Sequence, residues 1–128
     1  MKENPAKRIL IVDDDPLILY AISKAICRDG VEIDAVSTGE EATARINSCP
    51  YDLCFLDIYL PDLDGLSIMY RLKEISPETK VVIMTASYVD DDMKKTIDDS
   101  ADYFIPKPFE IFQIRAITES ALKGEAHY

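Results

Sequence analysis

The sequence predicts an α/β fold, a three-layer α/β/α sandwich built on a five-stranded parallel sheet. Short apolar runs alternate with amphipathic stretches five times along the 128 residues, the pattern of a parallel sheet covered by helices on both faces. The runs LCFLD and VVIMT are apolar almost throughout, as central strands buried on both sides must be. The length suits one compact domain with its own core, needing neither disulfides nor a structural metal.

The elements follow in order. Residues 8–12 read as the first strand. Asp15 can then cap a helix whose first position is Pro16, a residue with no amide hydrogen to waste there. Ile18, Ile22, Ala25 and Ile26 fall on one face of that helix, and Gly30 is expected to end it. Residues 31–36 make a weaker strand that alternates with Glu32 and Asp34. Thr38 and Glu41 have the spacing of a capping box, with Ala42 and Ile46 turned inward on the second helix. Residues 53–57 form the third strand, which ends on a charge. The turn LPDLDG, with Pro61, Asp64 and Gly65, leads into a third helix whose Ile68, Leu72 and Ile75 share a face. Residues 81–85 are the next buried strand. The fourth helix, 91–100, has only Met93, Ile97 and Ala101 to bury, so it should be the most weakly anchored. Residues 103–105 form a short last strand, beside which Pro106 is tolerated only at a sheet edge. The last helix, 110–122, buries Ile114, Ile117 and Ala121.

Composition excludes several classes of function. The net charge of −10, from 24 acidic and 14 basic residues, repels a phosphate backbone, so direct nucleic-acid binding is not expected. No run is long enough to cross a membrane, and MKENPAKR lacks the apolar core of a signal peptide, so a cytoplasmic location is expected. Cys27, Cys49 and Cys54 are odd in number and lack CxxC spacing, which argues for reduced, structural thiols. His127, one residue from the C-terminus, falls in an expected tail at 124–128, a poor place for a general base or metal ligand.

Chemistry concentrates where the strands end. In an open parallel sheet, ligands bind outside the carboxyl ends of the strands, where the strand order reverses. Asp13 and Asp14 follow the first strand, Asp57 ends the third, Thr85 ends the fourth, and Lys107 follows the fifth. Singly, each has an ordinary reading as a cap, a strand-end hydroxyl or a solvated lysine. Together they aim acid, hydroxyl and ammonium groups at one edge. Three carboxylates at one place repel unless a cation neutralises them. Magnesium, with manganese as a substitute, suits such an oxygen-rich site. An aspartate can attack phosphorus, and a metal with an ammonium can offset the charge of a phosphoryl group in transfer.

The segments ILIVDDDP, FLDIYLPDLDG, VVIMTA and DYFIPKPF resemble the four signature regions of response-regulator receiver domains, over residues 7–123. The resemblance implies a flavodoxin-like, CheY-like fold with strand order 2-1-3-4-5. It implies that Asp57 is the phosphoacceptor, that Asp14 binds magnesium directly and Asp13 through water, and that the Tyr59 backbone carbonyl is a further ligand. Thr85 and Lys107 match the residues that hold phosphoryl oxygens, Lys107-Pro108 matches the family's cis peptide, and Phe104 takes the aromatic switch position. The implied activity is a switch rather than an enzyme in the usual sense. It catalyses its own phosphorylation from a sensor histidine kinase or phosphotransfer protein, and its own slow dephosphorylation. The implied output surface is the fourth helix, fifth strand and fifth helix, for a homodimer or an effector.

Two positions depart from the family pattern. Ser100 stands where glycine is usual, so the end of the fourth helix is expected to be strained or rearranged. Phe104 lacks the hydroxyl or imidazole often found at its position. Two other readings compete. A haloacid-dehalogenase-like phosphohydrolase would use Asp13 and Asp15 as its DxD, and a pseudo-receiver would dock without phosphorylation. The first needs a glycine after the DxD and a later acidic motif; the intact site residues leave little reason for the second.

Overall fold

Successive strand residues point to opposite faces, so a sheet covered on both sides needs two cores. The computed structural model, which describes residues 6–123, builds both. The chain runs β1 (Lys7–Val12), α1 (Pro16–Ile26), β2 (Val31–Val36), α2 (Gly39–Ser48), β3 (Leu53–Asp57), α3 (Gly65–Ile75), β4 (Lys80–Thr85), α4 (Asp91–Ser100), β5 (Tyr103–Pro106) and α5 (Ile111–Leu122). The strands form one sheet in the order β2-β1-β3-β4-β5, and every neighbouring pair is parallel. The expected tail at 124–128, with His127, lies outside the described residues.

Leu10, Val12, Leu56 and Ile83 face α2, α3 and α4, where they meet Ala42, Ile46, Met69, Leu72 and Ile97. Ile9, Ile11, Phe55 and Met84 face α1 and α5, where they meet Ile22, Ile26, Ile114 and Ile117. Cys54 is buried in the first core, and burial pushes its thiol up to about 12, as a small hydrophobe rather than a nucleophile. In α4 the only fully buried side chain is Ile97, which agrees with the weak anchoring expected of that helix.

Several local readings are corrected. Helix α1 stops at Ile26 with Cys27 as its cap; Gly30, at φ +83°, instead makes the turn into β2, and its carbonyl accepts from Lys7 N. Thr38 Oγ1 accepts from Glu41 N at 3.1 Å, but Glu41 returns its carboxylate to Ser37 N at 3.1 Å, so the box closes one residue early. Ile75 is exposed because it is the last residue of α3 and the core is already closed by Leu72. Ser100 carries no strain: α4 ends by turning to extended backbone at Ala101, a conformation that needs no glycine. Glu110 is the cap of α5 rather than its first residue. Strand β5 continues through Pro106, so Phe104 lies within it opposite Ile83, and Thr85 pairs with Pro106.

Candidate functional site

Strands β1 and β3 are the adjacent pair at which the order reverses, and an aspartate stands at the end of each. Asp13, directly after β1, is fully buried, and Asp57, the last residue of β3, is nearly so. Asp14 beside them is exposed. One carboxylate oxygen from each of the three lies within 4.8 Å of the others.

One ammonium serves two of these acids. Lys107, which follows β5, donates to Asp13 Oδ2 at 2.5 Å and to Asp57 Oδ2 at 2.9 Å. The remaining oxygens are held by backbone: Asp13 Oδ1 accepts from Asp15 N at 2.9 Å, and Asp57 Oδ1 accepts from Tyr59 N at 3.0 Å. Asp15 itself caps α1 through Leu17 N at 2.9 Å, as its sequence position predicts. Burial pushes the Asp13 carboxyl above the usual carboxylate range, against the opposing pull of Lys107 and the Asp15 amide. Burial acts to lower the Lys107 ammonium, but its hydrogen bonds to Asp13 and Asp57 outweigh it and hold the group above an ordinary lysine. Three carboxylates against one ammonium leave a negative, oxygen-rich edge, which is the donor set a hard divalent cation takes.

Thr85 closes the site from β4. It is buried, and its Oγ1 accepts from Ser87 N at 3.0 Å, which leaves the hydroxyl proton for another acceptor. The Lys107 amide donates to the Thr85 carbonyl at 2.9 Å, and the Lys107-Pro108 peptide is cis, as the resemblance implies. Phe104 sits apart from this cluster. The residue is 42% exposed and lines a small cavity of about 70 Å³ with Val89, Lys94, Ile97 and Asp98.

The loop between β3 and α3 carries the Tyr59 carbonyl, and contacts that sequence reasoning missed hold it. The Tyr59 hydroxyl donates to the Tyr88 carbonyl at 2.7 Å, across to the loop between β4 and α4. The Asp62 carboxylate accepts from Gly39 N at 2.7 Å and Glu40 N at 2.9 Å, at the start of α2. Those amide bonds hold the Asp62 carboxyl below the usual range. Gly65 allows α3 to start against the end of β3, since a Cβ there would stand 2.4 Å from the Asp57 carbonyl oxygen. The PDLDG run marks the turn, but nothing in it marks Asp62 as a cap for a helix more than twenty residues earlier.

Comparison with known proteins agrees with this geometry. The family profile of the response regulator receiver domain matches residues 9–119. The transcriptional regulatory protein PmrA of Pectobacterium parmentieri is 34% identical over 91% of this chain, which spans 52% of that protein. A hybrid signal transduction histidine kinase L of Dictyostelium discoideum is 31% identical over 98% of this chain, which spans 8% of it. Among solved structures, a CheY-like receiver domain protein from Methanospirillum hungatei superposes with a TM-score of 0.83 at 29% identity, covering 92% of this chain and 95% of that one. The BeF3-activated DrrB receiver domain gives 0.82 at 29% identity, covering 92% and 98%.

This chain belongs to the response regulator receiver domains of two-component systems. Its fold is the CheY-like flavodoxin type, with the strand order the resemblance implied. Domains of this family work with histidine kinases and effector domains, and they typically bind magnesium. Family membership sets aside the haloacid-dehalogenase-like alternative. Among the described residues, no helix is long and apolar enough to cross a membrane.

Proposed function

We propose that this domain is a magnesium-dependent phosphoacceptor switch, in which Asp57 takes a phosphoryl group from the phosphohistidine of a sensor histidine kinase or phosphotransfer protein. The observation that carries this reading is the convergence of buried Asp13 and Asp57 on the partly buried Lys107 at the strand-order reversal. A lysine shared between two acids, beside a third acid, is poised for an anionic group to arrive.

In the transfer, an Asp57 carboxylate oxygen attacks phosphorus while the phosphorus–nitrogen bond of the donor breaks, its electron pair staying on the imidazole. The product is an acyl phosphate on Asp57. Lys107, already 2.9 Å from that carboxylate, turns to the phosphoryl oxygens, where a charge-assisted hydrogen bond is strongest. The Thr85 hydroxyl donates its unspent proton to another. Asp14 directly, Asp13 through water, Asp57 and the Tyr59 carbonyl are the groups that would hold magnesium or manganese. The ion, when bound, supplies Lewis-acid neutralisation of the phosphoryl charge. Slow hydrolysis by water returns Asp57 to its free state, so the domain times a signal rather than turning over a substrate.

The reading of the phosphate runs through packing. When Thr85 turns toward the phosphoryl group, it vacates space on the face it shares with Phe104, and the ring moves inward. The affected surface is α4, β5 and α5, the proposed homodimer or effector interface. Placement is cytoplasmic, and the acidic surface makes no direct contact with nucleic acid. The receiver unit comprises residues 7–123.

The test is incubation with a small phosphodonor and magnesium, read by intact mass, alongside binding of fluoroberyllate. Wild-type protein is expected to gain one phosphoryl group, and Asp57→Asn none. Full phosphorylation of Asp57→Asn, or transfer wholly to Asp13 in wild type, overturns the proposal.

A further inference from the structure

We propose that Asp62 is a positioning residue for the metal: its carboxylate clamps the metal-bearing loop to the start of α2 and so sets the affinity for magnesium. This inference rests on the phosphoacceptor reading, in which the Tyr59 carbonyl is a ligand.

The loop that carries Tyr59 is short, and its inner end is fixed. The Tyr59 amide is bound to Asp57 Oδ1, and Gly65 N donates to the Ile58 carbonyl at 2.9 Å. The outer bend of the loop, residues 61–64, is exposed, and there a loop would ordinarily be free to move. Asp62 fastens it. Each carboxylate oxygen takes one amide of α2, Gly39 N at 2.7 Å and Glu40 N at 2.9 Å.

Helix α2 also carries a cap of its own. Thr38 already serves the Glu41 amide, and Glu41 serves the amide of Ser37. The first turn also carries Glu40 and Glu41, which complement the positive end of the helix. Asp62 takes the first two amides of α2, and through the same contacts the loop gains its only side-chain anchor to α2 among the described hydrogen bonds. The neighbouring residue shows the same closeness. A Cβ at Gly39 would lie 2.6 Å from Leu63 Cβ, so the loop is seated directly on the helix backbone, where only glycine leaves room.

A ligand atom held in place costs less to bind than one that must be ordered. Groups that orient a metal ligand without touching the metal typically alter affinity by about 10- to 100-fold. Coupling is reciprocal, so magnesium in turn tightens the clamp and protects the loop.

Isothermal titration calorimetry with magnesium chloride, together with amide hydrogen exchange of the metal-free protein, tests the clamp in wild type and four variants. Asp62→Ala is expected to bind about 10-fold more weakly, with faster exchange at residues 59–64. Asp62→Asn keeps one acceptor oxygen and should fall between the two. Thr38→Ala removes the helix's own cap without touching the loop, so it should lower thermal stability and leave magnesium affinity as in wild type. Unchanged affinity in Asp62→Ala, or an equal loss in Thr38→Ala, overturns the positioning role. Asp14→Ala separates the two levels of the argument. If wild type does not bind magnesium, or binds no better than Asp14→Ala, the phosphoacceptor reading fails and the clamp's role in metal binding falls with it.

Discussion

The β1–β3 edge and the α4–β5 edge of this sheet are built to opposite standards. At the first, Asp13 and Asp57 are buried, all four of their carboxylate oxygens lie within 3.0 Å of a donor, two held by backbone amides and two by the shared Lys107, and the loop beside them is tied to α2. At the second, α4 has one fully buried side chain and Phe104 lies 42% exposed beside an unfilled cavity. The difference separates two tasks. Group transfer needs atoms fixed to within a fraction of an ångström, while a signal needs a surface that little energy can move.

The largest effects should come from the stiff side. Phe55→Ala, in the middle of β3, should destabilise the fold by about 4 kcal/mol, since it empties a fully buried aromatic site. Ile97→Ala should cost about 2 kcal/mol, the low end for such a truncation, because its helix can settle onto the gap. Urea denaturation measures both, and equal costs would erase the contrast.

Lys107→Ala should fall between these two, at about 3 kcal/mol near neutral pH, because it strands Asp13 as an unpaired buried charge. Burial raises the Asp13 pKa in the folded state, so the folded protein takes up a proton more readily than the unfolded chain. The penalty should therefore shrink as pH falls through the folded value and grow as pH rises above it. A cost that stayed constant from acid to neutral pH would show that Asp13 is not the source.

A smaller effect is expected at Asp14, which is exposed and bonds to no partner named above. Asp14→Ala should lose the magnesium-induced rise in melting temperature and become slightly more stable without metal, as carboxylate repulsion is relieved. An unchanged magnesium shift would remove Asp14 from the ligand set.

The smallest change in stability belongs to the soft side. Phe104→Ala should alter stability by no more than about 0.5 kcal/mol, as at other exposed positions. Its importance lies in the response. NMR of the free and fluoroberyllate-bound protein should show the Phe104 ring turning inward and shifts across residues 91–110. An identical ring conformation in both would end the proposed coupling and leave the Asp57 chemistry standing.

The sequence by itself determined what depends on near neighbours. Apolar runs placed the five strands to within one residue and located all five helices, though not the end of α1, because burial of a strand or a helix face imposes its own period on the chain. Asp13, Asp14, Asp57, Thr85 and Lys107 were legible as a set because each follows or ends a strand, and parallel strands bring their ends to one edge. The strand order itself came from resemblance, since nothing local says which strands are neighbours. The tertiary structure alone decided the contacts between distant residues. Lys107 reaches an acid 94 positions away, Asp62 takes the amides of a helix more than twenty residues earlier, and Tyr59 bridges to a loop 29 residues on. It also decided the small reversals, in which Gly30 serves a turn rather than a helix end and Ile75 is left to solvent. The physical reason is the same in each case. Periodicity reports which face of an element is buried, but a hydrogen bond between elements exists only once packing has set their distance and angle.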